Sequence, residues 1–286
     1  MASVADTGKG DARRDADHES FLTHKRFRYL WIALLVSIAF AVGYALIDVE
    51  PRHNGGTWYG YLLGTVGVLL ILWLSLLGIR KRAMTEGRWS LKAWTSAHVY
   101  LGLALIIIGT LHTGFQLGWN VHTLAYALMM LVILSGIYGI IVYSRLPTPL
   151  SNNRNEMTRG QMVESLGALD RQLESAAQPL GREESDLVIA ALDQDVFKVG
   201  LMSRLAGRIP NCRTSKALKR FEGYGDEEAI AKVRGLLERR KEQLGQVRRH
   251  MRYKALLEVW LFIHIPATIA LIAALIAHVV SVFYYW

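Results

Sequence analysis

Residues 98–112 read HVYLGLALIIIGTLH and residues 264–278 read HIPATIALIAALIAH. Each stretch is apolar and is bounded by two histidines, so two histidine pairs share the same spacing of fourteen residues. That spacing makes four turns of a helix with about 3.5 residues per turn, the period of helices in a left-handed bundle. Both histidines of a pair are therefore expected on one face of their helix, about 21 Å apart along its axis.

The composition around these stretches is that of a membrane protein with a polar appendage. Of the 286 residues, 52% are apolar, and the mean hydropathy is +0.22, which exceeds the range of ordinary soluble domains. Spanning a bilayer takes about 20 apolar residues. Five segments meet this requirement, at 29–47, 58–79, 94–117, 122–143 and 257–284. We predict an all-α membrane protein whose five transmembrane helices form a bundle.

The spans divide the chain into four parts. These are an N-terminal cytoplasmic tail at 1–28, transmembrane helices 1 to 4 at 29–144, a polar insert at 145–256 and transmembrane helix 5 at 257–286. Helical apolar spacing at 158–177 and 229–257 predicts that the insert is helical and that its second helix runs into span 5.

Loop charges predict the orientation. Lysine and arginine cluster before span 1, between spans 2 and 3 and at the end of the insert, whereas the other two loops carry little positive charge. The positive-inside rule then places the N-terminus and the insert in the cytoplasm and the C-terminus outside, in a bacterial-type inner (plasma) membrane. The net charge of +9 is explained by these loops, and no basic patch interleaved with aromatic residues predicts a nucleic-acid partner.

The four paired histidines are the candidate site. Ionisable side chains inside a membrane are costly and mark functional positions. Because odd-numbered spans run in parallel, His98 and His264 share the cytoplasmic level, and His112 and His278 share the outer level. Neutral imidazoles can ligate a haem iron from both faces. We predict two b-type haems, with these four histidines as cofactor-binding residues and axial iron ligands, and with irons about 20 Å apart.

Two other interpretations of the histidines stay open. Four satisfied histidines bonded to neighbouring helices need no ligand, and a haem-free transporter could use them for metal ions or protons. Transporters of that kind usually place carboxylates near the midplane, and spans 1 to 4 contain none. The equal spacing of both pairs favours haem.

Other residues carry weaker signals. His122, at the start of span 4, could contact a quinone or a haem propionate, or have no function. Small residues on span 3 are predicted to leave room for a macrocycle, and Pro266 to bend span 5. Propionate neutralisation or topology alone could explain four basic residues, Arg80, Arg82, Arg88 and Lys92. Four further histidines are predicted to be solvated, namely His18, His24, His53 and His250.

A single cysteine, Cys212, limits the chemistry that the chain can perform alone. It excludes an intramolecular disulfide and an iron–sulfur cluster or cysteine-rich zinc site built from this chain. An ordinary reduced thiol is the favoured interpretation, and a reactive thiol is the alternative.

The pattern Trp94-x3-His98-x3-Gly102-x9-His112-x-Gly114 resembles the third transmembrane helix of ferric reductase-like proteins, the group that includes the NADPH oxidases. Those proteins carry histidine pairs on helices three and five, and the cytochrome b of quinol–cytochrome c reductases has a similar paired spacing. The resemblance covers spans 1 to 5 and implies haem ligation by the four paired histidines. A sixth helix, flavin and nicotinamide domains and a G-x-G-x-x-G fingerprint are not found, so we do not expect a self-sufficient NAD(P)H reductase.

These observations predict a di-haem b-type cytochrome. It would transfer electrons across or into the membrane between an acceptor and either a partner redox protein or a quinone. A redox partner subunit is expected to dock on the insert at 145–256. The alternative is a quinone-reactive membrane anchor of an oxidoreductase complex. No catalytic residue is predicted, because the haems would do the redox chemistry.

Overall fold

A computed structural model describes residues 20–50, 52–82, 90–145, 159–195, 197–207, 212–225 and 227–284. All regular structure in these ranges is α-helical. The helices are α1 (His24–Leu46), α2 (Trp58–Arg82), α3 (Leu91–Thr113), α4 (Val121–Ser144), α5 (Arg159–Ala177), α6 (Arg182–Leu192), α7 (Leu201–Ala206), α8 (Arg213–Phe221) and α9 (Glu228–Tyr284). His18, Arg88 and most of the predicted tail lie outside the described residues.

The five predicted spans are confirmed as helices. Helices α1, α2, α3, α4 and α9 are each long and apolar enough to cross a bilayer. Span 3 is shorter than predicted, because α3 ends at Thr113 and not at residue 117. Gly114 adopts a left-handed φ of 57° and donates its N–H to the Leu111 carbonyl, which closes the last turn. At the other end, the Ser90 side chain accepts from the Ala93 N–H and caps the helix.

Span 5 is the last part of a long helix. Helix α9 runs for 57 residues, from Glu228 to Tyr284, so the prediction that the insert's second helix continues into span 5 is confirmed. Pro266 lies inside this helix without ending it. Because proline lacks an N–H, the carbonyl one turn earlier loses its usual donor. The Thr268 hydroxyl donates to the His264 carbonyl at 2.7 Å, which adds a side-chain bond to the turn that carries the proline.

The chain forms two compact units. The bundle unit comprises residues 1–137 and 263–286, and the insert unit comprises residues 138–262. The division between the units lies a few residues inside the ends of spans 4 and 5. One reason is local packing within the insert unit, since a Cβ on Gly139 would lie 2.4 Å from the Trp260 ring.

In the bundle unit, α3 packs against α1 and α2. Two tyrosines link these helices through their hydroxyls, as Tyr59 donates to the Phe40 carbonyl at 2.7 Å and Tyr100 donates to the Leu22 carbonyl at 2.9 Å. The side chains of Tyr59 and Tyr100 are themselves buried. Each hydroxyl thus reaches a partner while its ring contributes to the apolar contact between helices.

The insert unit contains three short helices, α6, α7 and α8, that the sequence analysis did not predict. Phe221, Val233 and Leu237 are fully buried in its main core. The guanidinium of Arg240, which is only 1% exposed, donates to both carboxylate oxygens of Asp170 at 2.7 and 3.2 Å. This bidentate pair holds α9 against α5 inside the insert unit.

Candidate functional site

Helix α2 anchors the two histidines of span 3. His98 Nδ1 lies 3.1 Å from the Leu74 carbonyl oxygen, and His112 Nδ1 lies 2.8 Å from the Gly60 carbonyl oxygen. The two acceptors are fourteen residues apart, like the histidines, because α2 and α3 run antiparallel. A carbonyl oxygen can only accept a hydrogen bond, so Nδ1 carries the proton in both rings and the lone pair is on Nε2.

Helix α4 anchors the two histidines of span 5 in the same way. His264 Nδ1 lies 2.7 Å from Ser135 Oγ, and His278 Nδ1 contacts His122 Nδ1 at 2.5 Å. The Ser135 hydroxyl donates its own proton to the Val132 carbonyl at 2.8 Å, so its oxygen accepts from His264. His264 is therefore protonated on Nδ1, as His98 and His112 are.

Each span-3 or span-5 histidine thus has Nδ1 engaged by a neighbouring helix. This is the arrangement in which proteins present Nε2 to a metal, because the outer hydrogen bond fixes both the tautomer and the ring orientation. The partner is a backbone carbonyl for His98 and His112, a hydroxyl for His264 and a second imidazole for His278. In a neutral imidazole these bonds leave the lone pair on Nε2, the atom that can coordinate a metal.

The structure brings the histidines together at two levels. At one level the ring centroids of His112 and His278 are 5.9 Å apart, and the ring planes are inclined by 83°. Two metal–imidazole bonds of about 2 Å each, together with the two ring radii, require a centroid separation of about 6 Å. At the other level His98 and His264 are close enough to interact electrostatically. Both pairings are those that the fourteen-residue spacing predicts.

An apolar layer separates the two levels. Leu105 lies midway between the span-3 histidines and Leu271 midway between the span-5 histidines, and each is only 3% exposed. Both belong to one buried cluster that joins four helices, with Ile71, Leu74, Met129 and Ile133. All four histidines, by contrast, are only partly buried. The helix faces are therefore tightly packed between the levels and more open around each imidazole.

Glycines near the site have three different roles. A Cβ on Gly64 would lie 2.8 Å from His112 Cε1, so this glycine makes room for the imidazole ring. Gly102 borders open space, with no atom within 4 Å of its Cβ position, in agreement with the room predicted beside span 3. Two other small residues of span 3, Gly109 and Gly114, do not border open space, although Gly109 does allow the close helix approach that small residues predict. The space beside Gly109 is filled by Met129, and Gly114 is the helix cap.

Three histidines outside the two pairs have ring contacts that the sequence did not predict, namely His24, His53 and His122. His122 contacts the His278 ring directly, with centroids 4.6 Å apart. The predicted solvation of His24 is wrong, since it is 8% exposed and stacks on Tyr29. His53 is half-buried and stacks on Tyr44 at 4.0 Å. Aromatic neighbours stack on both rings, His24 at the start of α1 and His53 in the loop between α1 and α2.

The site offers pairs of ligands. Within the described ranges, no group of three or more histidine, cysteine, aspartate or glutamate side chains is arranged to hold a metal ion. A bare zinc ion usually takes three or four protein ligands. A haem iron already has four porphyrin nitrogens and needs only two imidazoles. The ligand number therefore fits haem better than an unchelated metal ion.

Comparison with protein-family models, with curated proteins and with solved structures finds no match for this chain.

Sequence reasoning found the four histidines and missed what holds them. The acceptors on α2 are backbone carbonyls, which every residue carries, so they leave no signal in the sequence. Ser135 was detectable as a hydroxyl on span 4, and His122 was considered as a quinone or propionate contact but not as a partner of His278. Their thirteen-residue spacing was the signal that could have matched them to His264 and His278.

Proposed function

We propose that this chain is a di-haem b-type membrane cytochrome that transfers single electrons between a redox donor and an acceptor. The observation that carries the proposal is the set of four histidines, paired at two levels, each with Nδ1 anchored by an adjacent helix. His98 and His264 would hold one haem, and His112 and His278 the other. The resemblance of span 3 to ferric reductase-like proteins supports the same assignment.

The chain's own groups have two tasks in this proposal. The Nδ1 bonds set the tautomer and the ring orientation of the imidazoles, so that little rearrangement is needed for ligation. The Leu105–Leu271 layer keeps water out of the region between the levels. When bound, haem would supply reversible one-electron redox chemistry of its iron.

Several observations favour haem over transport of metal ions or protons. Spans 1 to 4 carry no carboxylate. The buried cluster between the two histidine levels consists of apolar side chains, which do not form a polar path from one level to the other. A proton or metal-ion pathway requires a chain of polar groups or a water-filled cavity.

A quinone-reactive membrane anchor is the second candidate, favoured by a groove. An apolar groove of about 820 Å³ is lined by α2 residues on both sides of Leu74, including Trp73 and Ser75, and by Ile272 of α9. Leu74 also provides the carbonyl that anchors His98. An isoprenoid quinone fits such a groove chemically. If quinone reacts there, Leu72→Trp should slow haem reduction by quinol and leave reduction by dithionite unchanged.

We further propose that the insert unit docks a redox partner subunit with an acidic surface. A groove of about 890 Å³ between α5 and α9 is lined by Arg171, Lys232 and Arg239, and none of its described lining residues is acidic. Reversing these three charges should release a co-purifying redox protein and leave haem content unchanged. The proposed location is a bacterial-type inner membrane, with the insert in the cytoplasm.

Haem content and spectra of single histidine variants test the main proposal. Purified wild-type protein should contain two haems per chain, with b-type bands in the reduced-minus-oxidised spectrum. His98→Ala and His264→Ala should lose the same haem, and His112→Ala and His278→Ala the other. His53→Ala, which removes a histidine that stacks on Tyr44, is the control and should retain both haems. Colourless wild-type protein, or losses that do not follow these pairs, would refute the proposal.

A further inference from the structure

His122 occupies a well-defined position at the start of α4. The Asn120 side chain caps this helix, because its Oδ1 accepts from the Thr123 N–H at 2.9 Å. The Thr123 hydroxyl in turn accepts from the Gly118 N–H at 3.0 Å. These bonds fix the first turn of α4 and therefore the backbone that carries His122.

The contact between His122 and His278 requires one donor and one acceptor. Both contacting atoms are Nδ1, and the ring planes are nearly perpendicular, at 87°. If His278 is to coordinate through Nε2, its proton must be on Nδ1, and this N–H donates to His122. His122 must then accept at Nδ1 and carry its own proton on Nε2.

This acceptor differs from the other three. His98 and His112 bond to carbonyl oxygens, and His264 contacts the Ser135 hydroxyl and the Val132 backbone. A hydrogen-bond acceptor on the outer nitrogen raises the basicity of a ligating imidazole. A more basic ligand favours the ferric state, because that state has the higher positive charge. The outer site therefore has a histidine where the inner site has Ser135.

We propose that His122 is the positioning residue of His278, and that it fixes the tautomer of this ligand and lowers the redox potential of the outer haem. This inference rests on the proposed di-haem function. It predicts that the two haems respond to different residues of α4, with the outer haem controlled by His122 and the inner haem by Ser135.

Potentiometric titration of the purified holoprotein tests the inference. His122→Ala removes the acceptor, so the outer haem's ferric-to-ferrous equilibrium should shift toward the ferrous form by roughly tenfold, a rise of about 59 mV for a one-electron couple. The inner potential should not change. His122→Asn places an amide oxygen near the position of Nδ1 and should restore the wild-type potential. Ser135→Ala is the matched control and should shift only the inner haem.

The outcomes separate this inference from the proposed function. Two haems with an unchanged outer potential in His122→Ala would refute the role of His122 and leave the cytochrome intact. Loss of the outer haem in His122→Ala with recovery in His122→Asn would support the positioning role. Equal loss in both variants would mean that the ring only fills space, and would refute it. Wild-type protein without haem would refute both proposals.

Discussion

An imidazole inside an apolar helix bundle has two nitrogens that can form polar contacts, and at every paired histidine one of them has a partner on a neighbouring helix. The anchored nitrogen is Nδ1 in each case. Burying a polar group without a partner costs free energy, so the Nδ1 bonds stabilise the rings as well as aim them. In the proposed function the other nitrogen, Nε2, would bind the haem iron.

Gly64 provides a direct test of the space reserved for His112. In Gly64→Ala the new methyl would lie 2.8 Å from Cε1 and 3.1 Å from Nδ1 of the imidazole, so the ring must move. We expect the outer haem to be lost or weakened, with about 1–3 kcal/mol of overpacking. Gly67→Ala is the matched control on α2, since nothing lies within 4 Å of its Cβ position. The measurement is haem per chain with the difference spectrum; equal haem content in both variants would contradict the prediction.

Cys212 is more acidic than an ordinary thiol. Burial raises the pKa of the Cys212 thiol, but hydrogen bonds from Ser215 and Arg248 outweigh this effect and lower the pKa to about 7. Because the thiolate is the reactive form, alkylation by iodoacetamide should reach half its maximal rate near pH 7. Arg248→Met removes the donor that lies 2.9 Å from the sulfur. In that variant the half-maximal pH should move upward, and identical pH profiles would show that Arg248 does not stabilise the thiolate.

At the scale of elements, two antiparallel helix pairs, α2 with α3 and α4 with α9, provide a partner for each of the four paired histidines. Helix α2 lies alongside α3, and α4 lies alongside the bundle part of α9, so an acceptor on each partner faces each histidine level. The histidines of each pair are fourteen residues apart, their acceptors on α2 are also fourteen residues apart, and their partners on α4 are thirteen residues apart. The packing between helices, and not any single helix, determines which atoms receive the Nδ1 protons.

In the insert unit, the buried Arg240–Asp170 pair joins α9 to α5. Removing one partner leaves a buried charge unpaired, which lowers the stability of the protein. Arg240 is 1% exposed, and its guanidinium also donates to the Thr214 hydroxyl. Asp170→Ala leaves this charge without its carboxylate and should cost about 3 kcal/mol of stability, the lower end for a broken buried pair. The measurement is the Tm of the full-length protein in detergent.

Two variants control this prediction. Asp186→Ala removes an exposed carboxylate from α6 and should leave the Tm nearly unchanged. Replacing both partners, in Asp170→Leu with Arg240→Met, should recover most of the lost stability, because no buried charge is then left unpaired. A Tm for Asp170→Ala equal to that of the control would show that Arg240 finds another partner.

For the whole molecule, the single cysteine offers a test of orientation. Trp119, between α3 and α4, is fully exposed, and the proposed topology places it outside the cell. In Cys212→Ser with Trp119→Cys, a membrane-impermeant maleimide should label intact cells. Wild-type Cys212 should be labelled only after the membrane is permeabilised. The reverse pattern would invert the proposed orientation.

The sequence by itself determined the helical class, the five spans and the four histidines. Hydrophobicity along the chain decides which segments enter a bilayer, and the helical period decides that residues such as His98 and His112 share a face. Hydrophobicity and helical period are local properties, so they can be predicted without knowing how the helices pack. The continuation of the insert into span 5 was predictable for the same reason.

Only the tertiary structure decided how those histidines are held. The Leu74 and Gly60 carbonyls are chemically like every other backbone carbonyl, and become acceptors only through the register between α2 and α3. His122 contacts His278 because α4 and α9 are antiparallel. The spacing of residues within one span does not reveal which residues of another span lie beside it. The short helix α8 likewise depends on burying Phe221 in a core built by distant residues. Short helices gain most of their stability from such packing and little from local propensity, so the sequence alone did not reveal it.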